Sequence, residues 1–217
     1  VGMTLILFCK HPRLGVGKQR LARVLGQQGA FRIADMLHRC ALAQLASWPG
    51  PSVIACADAA DCDSYRAEHP WVDAVIAQQG NNLGERINHV ERQLRAAGHE
   101  RLIIIGSDMP EQTPDQLLAA AEKLAQHDIV LSAATDGGVT LMAAAVAWPE
   151  LHALPWSTPE LGQALVECCE QAGLSVGWVA PCDDVDLVAD LRRLRTSLAA
   201  DTRAPQQALH SLLQECL

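Results

Sequence analysis

T-L-I-L-F-C-K-H-P-R-L-G-V-G-K-Q-R-L (residues 4–21) decides the fold. Thr4 to Cys9 is an apolar run bounded by Lys10-His11-Pro12, and a run so short reads as a buried strand. A loop containing Gly15 and Gly17 follows, and then a helical pattern begins with Leu21, Val24 and Leu25. Beyond Gly26, Phe31, Ala34, Leu37, Ala41, Leu42 and Leu45 keep a period near 3.6. Trp48-Pro49-Gly50-Pro51 stops the helix. Strand, glycine loop and long helix are the opening of an alternating α/β chain.

The rest of the sequence continues that alternation. Ser52–Ala57, Val72–Ala77, Leu102–Ile105, Ile129–Ala133, Val139–Val146 and Leu174–Ala180 read as strands. A short polar helix is expected over Asp61–Glu68. Another carries Leu83, Ile87, Val90 and Leu94 on one face and ends at Gly98. Thr113-Pro114 and Thr158-Pro159 both look like helix starts, with threonine as the cap and proline at the first helical position. The segment from about Val185 is predicted helical in two pieces broken near Pro205. Such a chain forms a mostly parallel sheet with right-handed crossovers and helices on both faces. The Asp136-Gly137-Gly138 turn between two strands predicts one antiparallel departure.

At 217 residues with 49% hydrophobic and 19% charged side chains, the chain has ample material for a core. At about 150 residues per domain it reads as a single domain over 1–217. No apolar run approaches the roughly 18 residues of a membrane span. No basic segment precedes the first apolar run, so no signal peptide is expected; Val1 and Gly2 ahead of Met3 read as added residues. The eight cysteines show no C-x-x-C and no zinc spacing, and are expected as reduced thiols in the cytoplasm.

Charge is unevenly distributed. The net charge is −8, which disfavours nucleic acid as a partner. Residues 1–34 nevertheless hold Lys10, Arg13, Lys18, Arg20, Arg23 and Arg32 and no acid, including two of the chain's three lysines. One basic opening segment on an acidic protein suggests a local anion site.

In doubly wound sheets ligands sit beyond the carboxyl ends of the strands. The first such end carries the basic glycine loop. Its glycines admit a close ligand, the following helix start offers free N–H groups, and Lys18 and Arg20 suit phosphate oxygens. It is neither a P-loop, which needs Gly where Pro12 stands and Ser or Thr where Gln19 stands, nor a dinucleotide motif, which needs Gly at Arg20. Asp108 follows the fourth strand and could hold Mg²⁺ together with substrate phosphates, or simply brace its loop. Asp183, Asp184 and Asp186 offer a second ligand or a helix cap. Asp58, Asp61 and Asp63 lack calcium-site spacing and read as a helix start, and His11 as a polar loop residue. G-x-S-x-G and H-E-x-x-H are absent.

F-C-K-H-P-R-L-G-V-G-K-Q-R-L (8–21) resembles the opening F-x-K-x-P-x-x-G-x-x-K-T-R-L of the glycosyltransferase-like selenobiology- and radical-SAM-associated transferases. The resemblance runs along the chain through N-L-G-E-R (82–86), I-G-S-D-M-P (105–110), D-G-G (136–138), P-W-S-T-P (155–159) and D-V-D (184–186). It implies the GT-A fold of nucleotide-diphospho-sugar transferases, shared with phospholactate and molybdenum-cofactor guanylyltransferases. It places Lys10, Gly15, Lys18 and Arg20 around nucleotide phosphates, with Glu85 and Arg86 nearby. Asp108 falls at the metal position, completed by Asp186, for Mg²⁺ or Mn²⁺. Gly137, Gly138, Trp156 and Thr158 border the substrate. Three departures stand out: Gln19 for Thr, Val139-Thr140-Leu141-Met142-Ala143 where Tyr-x-Leu-x-Gly is usual, and Leu187 after D-V-D.

The expected function is metal-dependent transfer from a nucleotide-sugar donor to a small-molecule acceptor, with Lys18 and the metal neutralising the diphosphate and Asp136 or Glu85 as general base. Two alternatives remain open at this point. One is a nucleotidyltransferase joining an NTP to a phosphorylated small molecule; the other is a non-catalytic nucleotide-binding protein. Base, sugar, acceptor and oligomeric state are not readable.

Overall fold

The computed structural model describes residues 2–217; Val1 lies outside the described residues. Seven strands, β1 (Met3–Cys9), β2 (Ser52–Cys56), β3 (Ala74–Ala77), β4 (Arg101–Ile105), β5 (Ile129–Ala133), β6 (Val139–Ala144) and β7 (Val176–Trp178), form one sheet in the order β3-β2-β1-β4-β6-β5-β7. All neighbours are parallel except β6, which runs antiparallel to both β4 and β5. The expected three-layer α/β architecture with one antiparallel departure is present.

Both faces of the sheet are covered, which is why the strands read as unbroken apolar runs. Leu5, Leu7 and Cys9 of β1 face α1 (Gln19–Ala46), α2 (Cys62–Glu68) and α4 (Pro114–Lys123). Ile6 and Phe8 face α3 (Leu83–Ala96) and α5 (Leu161–Gln171). A third cluster joins α1, from Leu21 to Cys40, to α6 (Val188–Ser197) and α7 (Ala204–Cys216) around Leu21, Ile33, Val185, Leu191 and Leu209. This cluster brings the carboxyl-terminal segment back against the first glycine loop.

Several expectations need correction. Thr113 does cap α4, in a reciprocal box with Gln116, but Thr158 caps nothing. Its hydroxyl donates to the Pro155 carbonyl, Ser157 takes a left-handed φ of 64°, and α5 begins only at Leu161. The same dipeptide fails where a preceding turn already uses the hydroxyl. The last strand shrinks to Val176–Trp178, and α6 starts at Val188 instead of Val185. Pro205 lies in the first turn of α7, so the break precedes it. Gly26, at φ 71° and ψ 169°, breaks α1 where the helical pattern restarts. All eight cysteines are free thiols, and among the described residues no helix is long and apolar enough to cross a membrane.

The chain leaves β1 toward β2 and β3 and then returns to β4 on the other side of β1. The winding therefore reverses between β1 and β4, which opens a crevice at their carboxyl ends. Because β6 runs the other way, its beginning, Val139-Thr140, arrives at the same edge.

Candidate functional site

The loop after β1 folds back on itself. Arg13 and Val16 bridge, Gly15 and Gly17 take φ of 78° and 74°, and Lys18 follows at φ 47°. Glycine adopts this region freely, whereas a lysine there is disfavoured by its Cβ. Arg13 ties the loop to the sheet's next crossover through ion pairs with Asp61 and, at 3.8 Å, Asp58. Asp58 also caps the short turn before α2, so the helix-start reading of these aspartates holds. Gln19 donates its amide to the Gly15 carbonyl at 3.0 Å and clips the loop shut.

Lys18 is turned into the crevice. Its side chain is only 9% exposed, and its ammonium lies 2.9 Å from Asp108 Oδ2 and 3.4 Å from Asp186 Oδ1. It also donates to the Val185 carbonyl. Arg20 reaches the other oxygen of Asp186 at 3.3 Å. The segment 184–186 is pinned there because the Val185 N–H donates to the Asp108 carbonyl at 3.0 Å and the Val185 side chain is fully buried. Asp190 accepts from the Asp186 and Leu187 N–H groups and so starts α6. That leaves the carboxylates of Asp184 and Asp186 free of capping duty. Asp183 faces away and accepts from the Thr135 N–H and hydroxyl.

Two adjoining cavities open at this edge. The larger, about 390 Å³, runs from Lys10 and Asp108 across Gln78 and Thr140 to Trp156. The smaller, about 240 Å³, lies behind the glycine loop and reaches His38 on α1. Lys10, Ser107 and Asp108 border both. Asp184 also lines the larger cavity. Burial pushes the Asp184 carboxyl above the usual carboxylate range, and the charges of Asp186 and Asp136 add to the effect.

The remaining sequence candidates are placed differently. Glu85 accepts from the Asn81 N–H at 2.6 Å, and Arg86 donates to the Gly80 carbonyl at 3.1 Å. Both side chains hold the loop after β3 and neither lines either cavity. Asp136 is exposed and accepts from the Gly138 N–H at 2.9 Å. Gly137 and Gly138 border a separate hollow beside Pro159 and Gly162. Trp156 lines the large cavity, and its indole N–H donates to the Leu151 carbonyl at 2.9 Å. Thr158 lines neither cavity.

Sequence reasoning missed Gln78, Ser107 and Thr140 on the cavity walls, and the buried chain behind the loop. In that chain the Cys9 thiol lies 3.4 Å from the Tyr65 hydroxyl, which lies 3.2 Å from His38 Nε2. Burial, with His11 and His69 nearby, pushes the His38 imidazole down to about 4. Strand termini and helix periodicity carry no sign of a contact that spans two crossovers.

Among the described residues no group of three or more His, Cys, Asp and Glu is poised around a metal position. The pair Asp108 and Asp186, with the Val185 carbonyl, already surrounds a cation, the Lys18 ammonium. Two carboxylates and a carbonyl are hard oxygen donors that fit Mg²⁺ or Mn²⁺ once phosphate oxygens and water add to them.

The model of the family described as uncharacterized protein conserved in bacteria (DUF2064) matches residues 40–158, more than half of the chain. The match takes in residues 82–86 and Asp108 and leaves the loop at 10–18 and Asp186 outside it. Among curated proteins no match is found. A candidate nucleotide-diphospho-sugar transferase from Desulfovibrio desulfuricans G20 is 26% identical with a TM-score of 0.86, covering 99% of this chain and 98% of its own. A 4-diphosphocytidyl-2C-methyl-D-erythritol synthase is 12% identical with a TM-score of 0.53, covering 99% and 100%. Rv0371c from Mycobacterium tuberculosis H37Rv, in complex with manganese, is 16% identical with a TM-score of 0.50, covering 89% and 97%. The fold is that of the nucleotide-diphospho-sugar transferases.

Proposed function

The chain belongs to the DUF2064 family, and we propose that it is a transferase that moves a group from a nucleotide-linked donor, a nucleotide-diphospho-sugar, to a small-molecule acceptor. The observation that carries this reading is the meeting of Lys18 with Asp108 and Asp186 at the switch point between β1 and β4. The likeness to the Desulfovibrio protein supports it. The whole chain is read as one such domain.

The diphosphate lies against the loop, where Lys10, Lys18 and Arg20 and the N–H groups around Gly15 offset its charge. The nucleoside enters the larger cavity along Phe8, Leu83 and Ile87. Asp108 and Asp186 would hold Mg²⁺ or Mn²⁺, which when bound would neutralise charge on the diphosphate; manganese bound to the distant Rv0371c relative accords with this choice. In the transfer an acceptor hydroxyl attacks the anomeric carbon, the carbon–oxygen bond to the diphosphate breaks, and the hydroxyl proton passes to a carboxylate. Asp184 suits that last role better than Asp136 or Glu85, because it lines the cavity and its affinity for a proton is raised.

Calorimetry with UDP-, GDP- and CDP-linked sugars plus Mn²⁺ tests the reading. One donor is expected to bind, and Asp108→Asn to lose that binding with an unchanged melting curve. Folded protein that binds none of them contradicts it. Pyrophosphate release from NTPs and phosphorylated acceptors would assign nucleotidyl transfer instead.

A further inference from the structure

Lys18 occupies the position that the transferase reading gives to the metal. Its ammonium is held by Asp108 Oδ2 at 2.9 Å, Asp186 Oδ1 at 3.4 Å and the Val185 carbonyl. We infer that Lys18 is a built-in counter-ion that keeps a divalent cation off these oxygens until a donor diphosphate draws the ammonium away. Metal and nucleotide then bind as a coupled pair. This inference rests on the proposed transferase function and adds a binding order to it.

Three features of the site lead there. First, the side chain is 9% exposed, and an ammonium taken out of water stays charged only when several acceptors surround it. A second cation on the same oxygens would have to share them with the ammonium at contact distance. Second, the local charge is nearly balanced without a metal. Lys18 and Arg20 stand against Asp108, Asp184 and Asp186. A divalent ion arriving beside the ammonium repels it, whereas a diphosphate on the loop brings negative charge and offers the ammonium new partners. Third, the residue is placed to move. It caps the start of α1 in a left-handed conformation, without a side-chain capping bond. Gly17 just before it has nothing within 4 Å of where a Cβ would sit, so that side of the loop is open to a ligand, while the exposed Gln19 amide holds the Gly15 and Gly17 carbonyls at 3.0 and 3.4 Å.

Linkage makes the inference measurable, because each ligand must raise the other's affinity by the same factor. Free Mn²⁺ is followed by its electron paramagnetic resonance signal, titrated with protein alone and with UDP or GDP present. The natural protein is expected to take Mn²⁺ weakly alone and roughly 5- to 150-fold more tightly with nucleotide. Lys18→Met is expected to bind Mn²⁺ alone about tenfold more tightly or better, with the coupling to nucleotide collapsing. Lys18→Gly suits the left-handed backbone and provides a second folded variant with the same expected gain. Asp108→Asn in the Lys18→Met background is expected to erase it.

Native melting curves with unchanged or weaker Mn²⁺ affinity in both Lys18 variants would overturn the inference. So would independent binding of Mn²⁺ and nucleotide by the natural protein, which leaves the transferase reading standing. A gain of Mn²⁺ affinity in the variants, with no nucleotide bound by any form, upholds the counter-ion and removes the transferase reading.

Discussion

Two glycine-bearing turns at the same sheet edge use glycine for opposite reasons. In the loop after β1, a Cβ on Gly17 would meet nothing within 4 Å, and one on Gly15 would meet only Gln27 Oε1 at 3.9 Å. Those glycines serve backbone angle and leave space above the loop. In the turn between β5 and β6, a Cβ on Gly137 would lie 2.0 Å from the Pro159 carbonyl oxygen, and the Gly137 carbonyl accepts from the Gly162 N–H at 2.9 Å. That glycine lets the start of α5 dock. At the first turn the glycines are kept for backbone angle, and at the second for the close approach of another segment's backbone. The distinction separates two stretches that look equally functional as motifs.

The comparison is sharpened first at Gly137. Gly137→Ala combines a backbone clash with a φ of 90°, so it is expected to cost on the order of 4 kcal/mol, read from urea unfolding. Gly17→Ala, strained in angle alone, is expected to cost about 1 kcal/mol. Equal costs would erase the distinction.

An intermediate effect is expected from the buried support behind the loop. His38 stays neutral in the fold with its imidazole pushed down to about 4, while the unfolded chain takes up its proton near the ordinary histidine value of 6.5. The resulting stability is present above pH 6.5 and is lost as the pH falls from 6.5 to 4. It amounts to about 3 kcal/mol in all. Unfolding free energies across that window should fall more steeply for the natural protein than for His38→Gln. Parallel curves would mean that the imidazole is not buried as described.

Much of this architecture is legible in the residues, for reasons that can be named. Strands buried on both faces leave unbroken apolar runs such as Leu5 to Cys9, and Thr113-Pro114 marks a true helix start because its N–H partners are free. Thr158-Pro159 misleads because the Pro155 carbonyl takes the hydroxyl. Lys18, Asp108 and Asp186 can be anticipated together, since each follows a strand or closes the crevice at its carboxyl edge. Glu85 and Arg86 cannot be sorted from sequence, because whether a charged side chain faces a cavity or holds the Gly80-Asn81 loop depends on rotamer and turn geometry. Asp184 gains its raised proton affinity first from burial and then from the charges of Asp186 and Asp136, surroundings that exist only once β5, β6 and α6 have packed.

The central claim is tested most directly by a crystal grown with Mn²⁺ and a nucleoside diphosphate, with data collected at the manganese absorption edge. The expected result is an anomalous peak between Asp108 and Asp186, phosphates over residues 15–18, and the Lys18 ammonium turned toward them. A manganese peak and nucleotide bound elsewhere, with Lys18 still paired to Asp108, would contradict it.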